Sequence, residues 1–217
     1  MAFTLTAAGS SSSEATRVRR KVLFAPMKSW TALPESLLAT AGPVSRGFLE
    51  RGIATFRAAG RHLGELPCGR NADPSDFTLV MHEGRGTRRT KHALLAALAG
   101  EQGIPLRLML AIYEMTEANT PGVGSVLARY GLDCIPEVDC YVRFSGDSID
   151  ITRSDADPTQ PIGPFLQEEA ITPDSIGGYR MWIHHQFLEE WRRLTKPAFT
   201  LDELWDIQRE CTAAIER

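Results

Sequence analysis

The sequence predicts an α+β fold in which a helix packs on a small antiparallel sheet and further helices follow towards the C-terminus. Behind the bend Gly84-Arg85-Gly86, Thr87 is a fair N-cap for a helix that runs to about Glu101 and buries Leu94, Leu95 and Leu98. Asp139 to Phe144 alternates as a half-buried strand does, and Ser145-Gly146 can turn it tightly into a return strand through Asp150 and Thr152. Two helical stretches come last: Tyr179 to Leu194, with Trp182, Phe187, Leu188 and Trp191, and Leu201 to Ile215.

The remaining elements follow in chain order. Residues 1–20 are small, polar and Ser-rich and read as a disordered tail, and the basic cluster Arg17 to Lys21 leads into Val22-Leu23-Phe24. Pro26 and Pro34 bracket a loop or short helix. From Val44 to Leu63, apolar side chains at Leu49, Ile53, Phe56 and Leu63 keep the spacing of one amphipathic helix. Pro67 to Ser75 reads as a surface loop, and Phe77 to Met81 as a strand or extended lead-in to the bend. Leu106 to Tyr113 is nearly continuously apolar, as a strand buried on both faces is. A polar loop at Asn119-Thr120-Pro121-Gly122 precedes a short helix, Val123 to Tyr130, and Pro136 leads into the hairpin. There Asp139, Tyr141 and Arg143 share one face and Cys140, Val142 and Phe144 the other. A two-residue turn sets Asp150 opposite Tyr141 and diagonal to Asp139, at roughly 7–8 Å. Asp155 to Pro173 is Pro- and acid-rich and reads as loop.

At 217 residues the chain suits one substantial core, so residues 21–217 are expected to form a single domain. The net charge of -3 supplies no reason to expect nucleic acid or an anionic membrane as partner. No apolar run approaches the roughly 18 residues of a membrane span. The N-terminus lacks the charged start and apolar core of a secretory signal, which predicts a cytoplasmic location. Cys68, Cys134, Cys140 and Cys211 show no CxxC spacing and are expected as free thiols. The His184-His185 pair lacks metal-ligand spacing, so neither metal nor other cofactor is expected.

Two segments carry the most specific signal: GRGTRRTKHALLAALAGEQGIP at the helix start and CIPEVDCYVRFSGDSIDIT at the hairpin. They resemble a branch of the transglutaminase-like (papain-like fold) superfamily, in which Gly-Thr-Cys-Ser-Thr-Lys-His-Ala-Leu opens a helix, Pro-Glu-Ala-His-Cys-Tyr-Leu begins a strand and Ile-Asp-X-Thr follows. Lys91-His92-Ala93-Leu94, Ile112-Tyr113-Glu114-Met115, Asn119-Thr120-Pro121, Ile135-Pro136-Glu137 and Cys140-Tyr141 fall in the same order as in that family. With Leu66-Pro67 and Gly69-Arg70-Asn71 upstream, the resemblance covers roughly residues 46–155. It implies a papain-like fold built around a Cys-His-Asp triad. On that pattern Arg88 stands where the nucleophilic Cys belongs and Asp139 where the His belongs, and only Asp150 keeps its place.

Arg88 cannot be a nucleophile, because a guanidinium stays protonated in proteins. Covalent acyl transfer through this triad is therefore excluded. Arg88 and Arg89 also occupy the first turn of a helix, where positive charge opposes the dipole by roughly 0.3–1 kcal/mol each. Something anionic is expected to compensate: Asp139, Asp150, Glu137, or the carboxylate or phosphate of a ligand. The expected function is non-covalent acid-base and electrostatic catalysis on an anionic or carbonyl-bearing small molecule, by cyclisation, isomerisation or hydrolysis. Asp139, Asp150 and Arg88 are the catalytic candidates, and Arg89, Glu137, Tyr141 and Asn71 the substrate-binding ones. The alternatives are a non-catalytic relative that binds a ligand or protein through the old cleft, and acyl transfer by a displaced thiol, Cys68 or Cys134.

Overall fold

The computed structural model describes residues 27–152, 164–195 and 198–215. The expected N-terminal tail, its basic cluster and residues 155–163 of the loop expected from Asp155 lie outside the described residues. Four antiparallel strands form one sheet in the order β3-β2-β1-β4: β1 is Arg107–Met115, β2 Ile135–Phe144, β3 Asp147–Ile149 and β4 Phe165–Ile171. Around it lie α1 (Pro43–Leu49), α2 (Phe56–Glu65), α3 (Leu79–Glu83), α4 (Arg88–Glu101), α5 (Gly124–Arg129), α6 (Gly178–Thr195) and α7 (Leu201–Ile215). The class is α+β, a mixture of helices with a small antiparallel sheet.

Local chemistry explains the parts that match the expectation. The Thr87 side chain accepts the Thr90 N–H at 3.3 Å and caps α4. Ser145 and Gly146 both take positive φ, 49° and 88°, which suits the twist of the tight hairpin between β2 and β3. Pairing of Val142 with Ile149 and of Phe144 with Asp147 gives the expected register, so that the next step would set Asp150 across from Tyr141. β1 is central and buried from Leu108 to Tyr113.

Three expectations are corrected. The helix expected from Val44 to Leu63 is two helices, because Gly52 turns left-handed (φ 74°) after α1 and Thr55 then caps α2 by accepting the Ala58 N–H. Helical spacing ran through the break because Leu49, Ile53, Phe56 and Leu63 all pack on the same core. The strand or extended lead-in expected at Phe77 to Met81 leads into helix α3, since Asp76 folds the chain by accepting from the N–H and hydroxyl of Thr78 at 2.9 and 2.6 Å. The loop expected from Asp155 to Pro173 contains β4, an edge strand on β1. Its charged Glu168 and Glu169 disguise the alternation, as is common at sheet edges.

The core is divided by the sheet. Val138, Cys140 and Val142 of β2 and Leu108, Leu110 and Ile112 of β1 pack with Leu94, Leu95 and Leu98 of α4. Strand alternation sends Tyr113, Met115 and Ile135 to the other face, where Leu188 of α6 and Leu204, Ile207 and Cys211 of α7 cover one end. Further along that face Met109, Ala111 and Tyr141 form a smaller cluster. Asp139 lies between these two apolar groups in strand order.

Candidate active site

A short strand creates the site. β3 ends after pairing with residues 142–144, so among the described residues β2 from Ile135 to Tyr141 has no strand neighbour on that side. Pro136, which has no N–H, is therefore tolerated there. The backbone donors of Val138 and Cys140 are taken by the side chains that precede them: Glu137 Oε1 accepts the first at 3.0 Å and Asp139 Oδ1 the second at 2.8 Å. These bonds satisfy N–H groups that a longer β3 would have satisfied.

The first residue of α4 reaches this open edge. Arg88 Nη1 donates to Asp139 Oδ2 at 2.6 Å, and its Nε lies 3.6 Å from Asp150 Oδ2. Asp150 follows β3, its N–H donating to the Lys28 carbonyl at 2.9 Å, while its Oδ1 accepts from the N–H and hydroxyl of Thr152 at 2.9 and 2.7 Å. Burial opposes the charge of Asp150, whose side chain is only 1% exposed. Arg88 and the Thr152 bonds outweigh that cost and hold its carboxyl near about 2. Burial likewise opposes the charge of Arg88, but Asp139 and then Asp150 raise its pKa further. Of the two carboxylates, Asp139 is the accessible one, at 17% against 1%.

His92 supports this group as a neutral ring. Its Nε2 accepts the Ile151 N–H at 3.1 Å, which leaves Nδ1 as the donor to the Arg88 carbonyl at 2.8 Å. Burial depresses its pKa despite the attraction of Asp150, so the 3.5 Å approach to Asp150 is not an ion pair. The ring ties the first turn of α4 to the backbone just beyond Asp150.

The other expected site residues are placed differently. Arg89 is half-buried beside Cys140, where its charge is felt. Glu137 is buried, and its Oε2 accepts from Gln208 of α7. Tyr141 stands apart from Arg88: its hydroxyl donates to Glu168 and accepts from Arg143 at 2.7 Å, and its ring stacks on Phe165 with centroids 5.5 Å apart. Asn71 lies on another side of the α4 start, donating to the Arg85 carbonyl at 3.0 Å and to Glu83 at 3.2 Å while accepting from Thr90 at 3.1 Å. It braces the loop before α4.

Cys140 is buried, and burial with the nearby Asp139 charge pushes its thiol up to about 12. It is a packing residue. Cys68 is exposed and Cys134 half-buried. Sequence reasoning missed Tyr113 and Arg180. The Tyr113 hydroxyl is kept neutral by burial and by Asp139 and Glu137. Arg180, in the first turn of α6, is close enough to interact with Arg89, Glu137 and Asp139. Tyr113 lies in one of the segments that carry the resemblance, which gives it no role of its own, and no local pattern links Arg180 to those segments.

Among the described residues no group of three or more His, Cys, Asp and Glu side chains is placed to hold a metal ion, and no helix is long and apolar enough to cross a membrane. Chemically, the site offers a fixed cation, a buried permanent anion and an accessible carboxylate, with no thiol at the helix start. Compared with known protein families, curated proteins and solved structures, the chain matches none.

Proposed function

We propose that the protein is a divergent transglutaminase-like domain of papain-like fold, repurposed as an enzyme that acts on an anionic or carbonyl-bearing small molecule without a covalent intermediate. The observation that carries this reading is the 2.6 Å bond between Arg88 and Asp139, with Asp150 3.6 Å from the same guanidinium. The three positions that the resemblance assigns to Cys, His and Asp thus meet, but as a cation between two carboxylates. In this reading Asp150 is the permanent anion that holds Arg88. Arg88 stabilises negative charge developing on the substrate, and Asp139 moves a proton. A cyclisation, isomerisation or hydrolysis needs no more than these roles.

A second reading, ligand binding without turnover, is favoured by the engagement of both Asp139 oxygens. The two readings separate when the protein is incubated with a small-molecule extract of its source cells and the mixture is followed by mass spectrometry. Loss of one compound with matching growth of a product, in excess over protein, is expected for the enzyme. Retention of an unchanged compound on the protein would favour the second reading.

A further inference from the structure

We propose that Arg89 and Arg180 form a two-pronged site for an oxyanion, a carboxylate or phosphate group, next to Asp139, and that this group is the handle by which the substrate of the proposed reaction is held. The two side chains come from the first turns of different helices, α4 and α6, and both are half-buried. His184, one turn further along the same face of α6 as Arg180, donates to the Pro136 carbonyl of β2 at 2.9 Å. Arg88, the neighbour of Arg89 in α4, donates to Asp139 of β2, so both first turns border the same stretch of β2. The charge of each also acts on the Cys140 thiol. Neither donates a hydrogen bond or forms an ion pair among the described residues.

The neighbouring carboxylates do not supply the missing acceptors. Asp139 Oδ1 takes the Cys140 N–H and Oδ2 takes Arg88; Glu137 Oε1 takes the Val138 N–H and Oε2 takes Gln208. All four oxygens are engaged, and none by Arg89 or Arg180. Burial and then repulsion from Arg89 bring the Arg180 pKa down to about 10, so Glu137 and Asp139 do not offset the cost of placing this cation here. Two like charges held together, partly desolvated and with their planar forks unused, match the recognition of an oxyanion by arginine. This handle rests on the reading of Asp139 as the proton-transfer group, yet the two can fail separately.

The test is thermal unfolding and isothermal titration with inorganic phosphate and with acetate, against chloride at equal ionic strength. Saturable stabilisation by phosphate or acetate beyond chloride is expected, and the stronger of the two identifies the class of oxyanion. R89Q and R180Q should each weaken that binding by at least about tenfold, the worth of a hydrogen bond to a charged group. R180Q alone should fold with unchanged or higher stability, because it removes a strained cation. If it does not fold, R180K keeps the charge without the fork and should still weaken binding. Stabilisation equal to that by chloride, or undiminished binding in R89Q and R180Q, overturns the proposal. D139N separates the two ideas, since it should keep the anion site while losing turnover. Anion binding in a D139N protein that still turns over leaves the handle standing and removes the proton-transfer role. Loss of turnover in D139N with no anion site does the reverse.

Discussion

Arg88 and Asp139, 51 positions apart, meet at 2.6 Å at the edge of β2 that β3 leaves uncovered. The pair stands over Asp150, whose side chain is almost wholly buried. Removing the cation should therefore cost more than an exposed ion pair does. R88M should destabilise the protein by about 3 kcal/mol, because it removes the counter-charge of one buried and one half-buried carboxylate. Urea denaturation measures this. A loss below about 0.5 kcal/mol would show that the pair contributes no more than a solvated one.

Asp150 should impose an acid limit on stability. Its folded pKa is near about 2, whereas an unfolded Asp titrates near about 4. The unfolded chain binds the proton first, so the contribution is complete above about pH 4 and disappears as pH falls towards 2. D150N should remove this part of the pH dependence. Denaturation midpoints collected from pH 6 down to 2 check it, and an unchanged slope in D150N would count against the assignment.

His92 should act in a separate window. Its folded pKa is depressed by burial, so the unfolded chain gains the proton first as pH drops below about 6.5, and stability declines from there. Nitrogen-15 correlation spectra should show a neutral Nδ1–H ring at pH 6. A doubly protonated ring at that pH would contradict the bond that Nε2 accepts from the Ile151 N–H.

How far the sequence showed this follows from the range of each signal. The hairpin, the cap at Thr87 and the helix behind it are written in neighbouring residues, and so they were legible. The break between α1 and α2 was hidden because Ile53 and Phe56 on either side of it both serve the core. β4 was hidden because an edge strand with Glu168 and Glu169 resembles an acidic loop. The meeting of Arg88, Asp139 and Asp150 could be anticipated from the resemblance and the hairpin register. Arg180 could not, since it arrives on a helix far along the chain. Asn71 entered the expected site with the resemblance and Tyr141 with the hairpin register, whereas their bonds serve the α4 loop and the β4 contact.

Thiol chemistry should be separable from function. Iodoacetamide should modify exposed Cys68 readily and Cys140 only after unfolding, because Cys140 is buried with its thiol pushed up to about 12. Peptide mapping identifies the site modified. Turnover should survive alkylation of Cys68, and its loss would point to a displaced nucleophile.

The most direct measurement of the proposed chemistry is turnover by D139N beside the wild-type protein, on whichever compound the extract screen identifies, with folding verified by circular dichroism. A fall of about a hundredfold or more is the predicted result for loss of a proton-transfer group. Wild-type turnover by a folded D139N protein would contradict it.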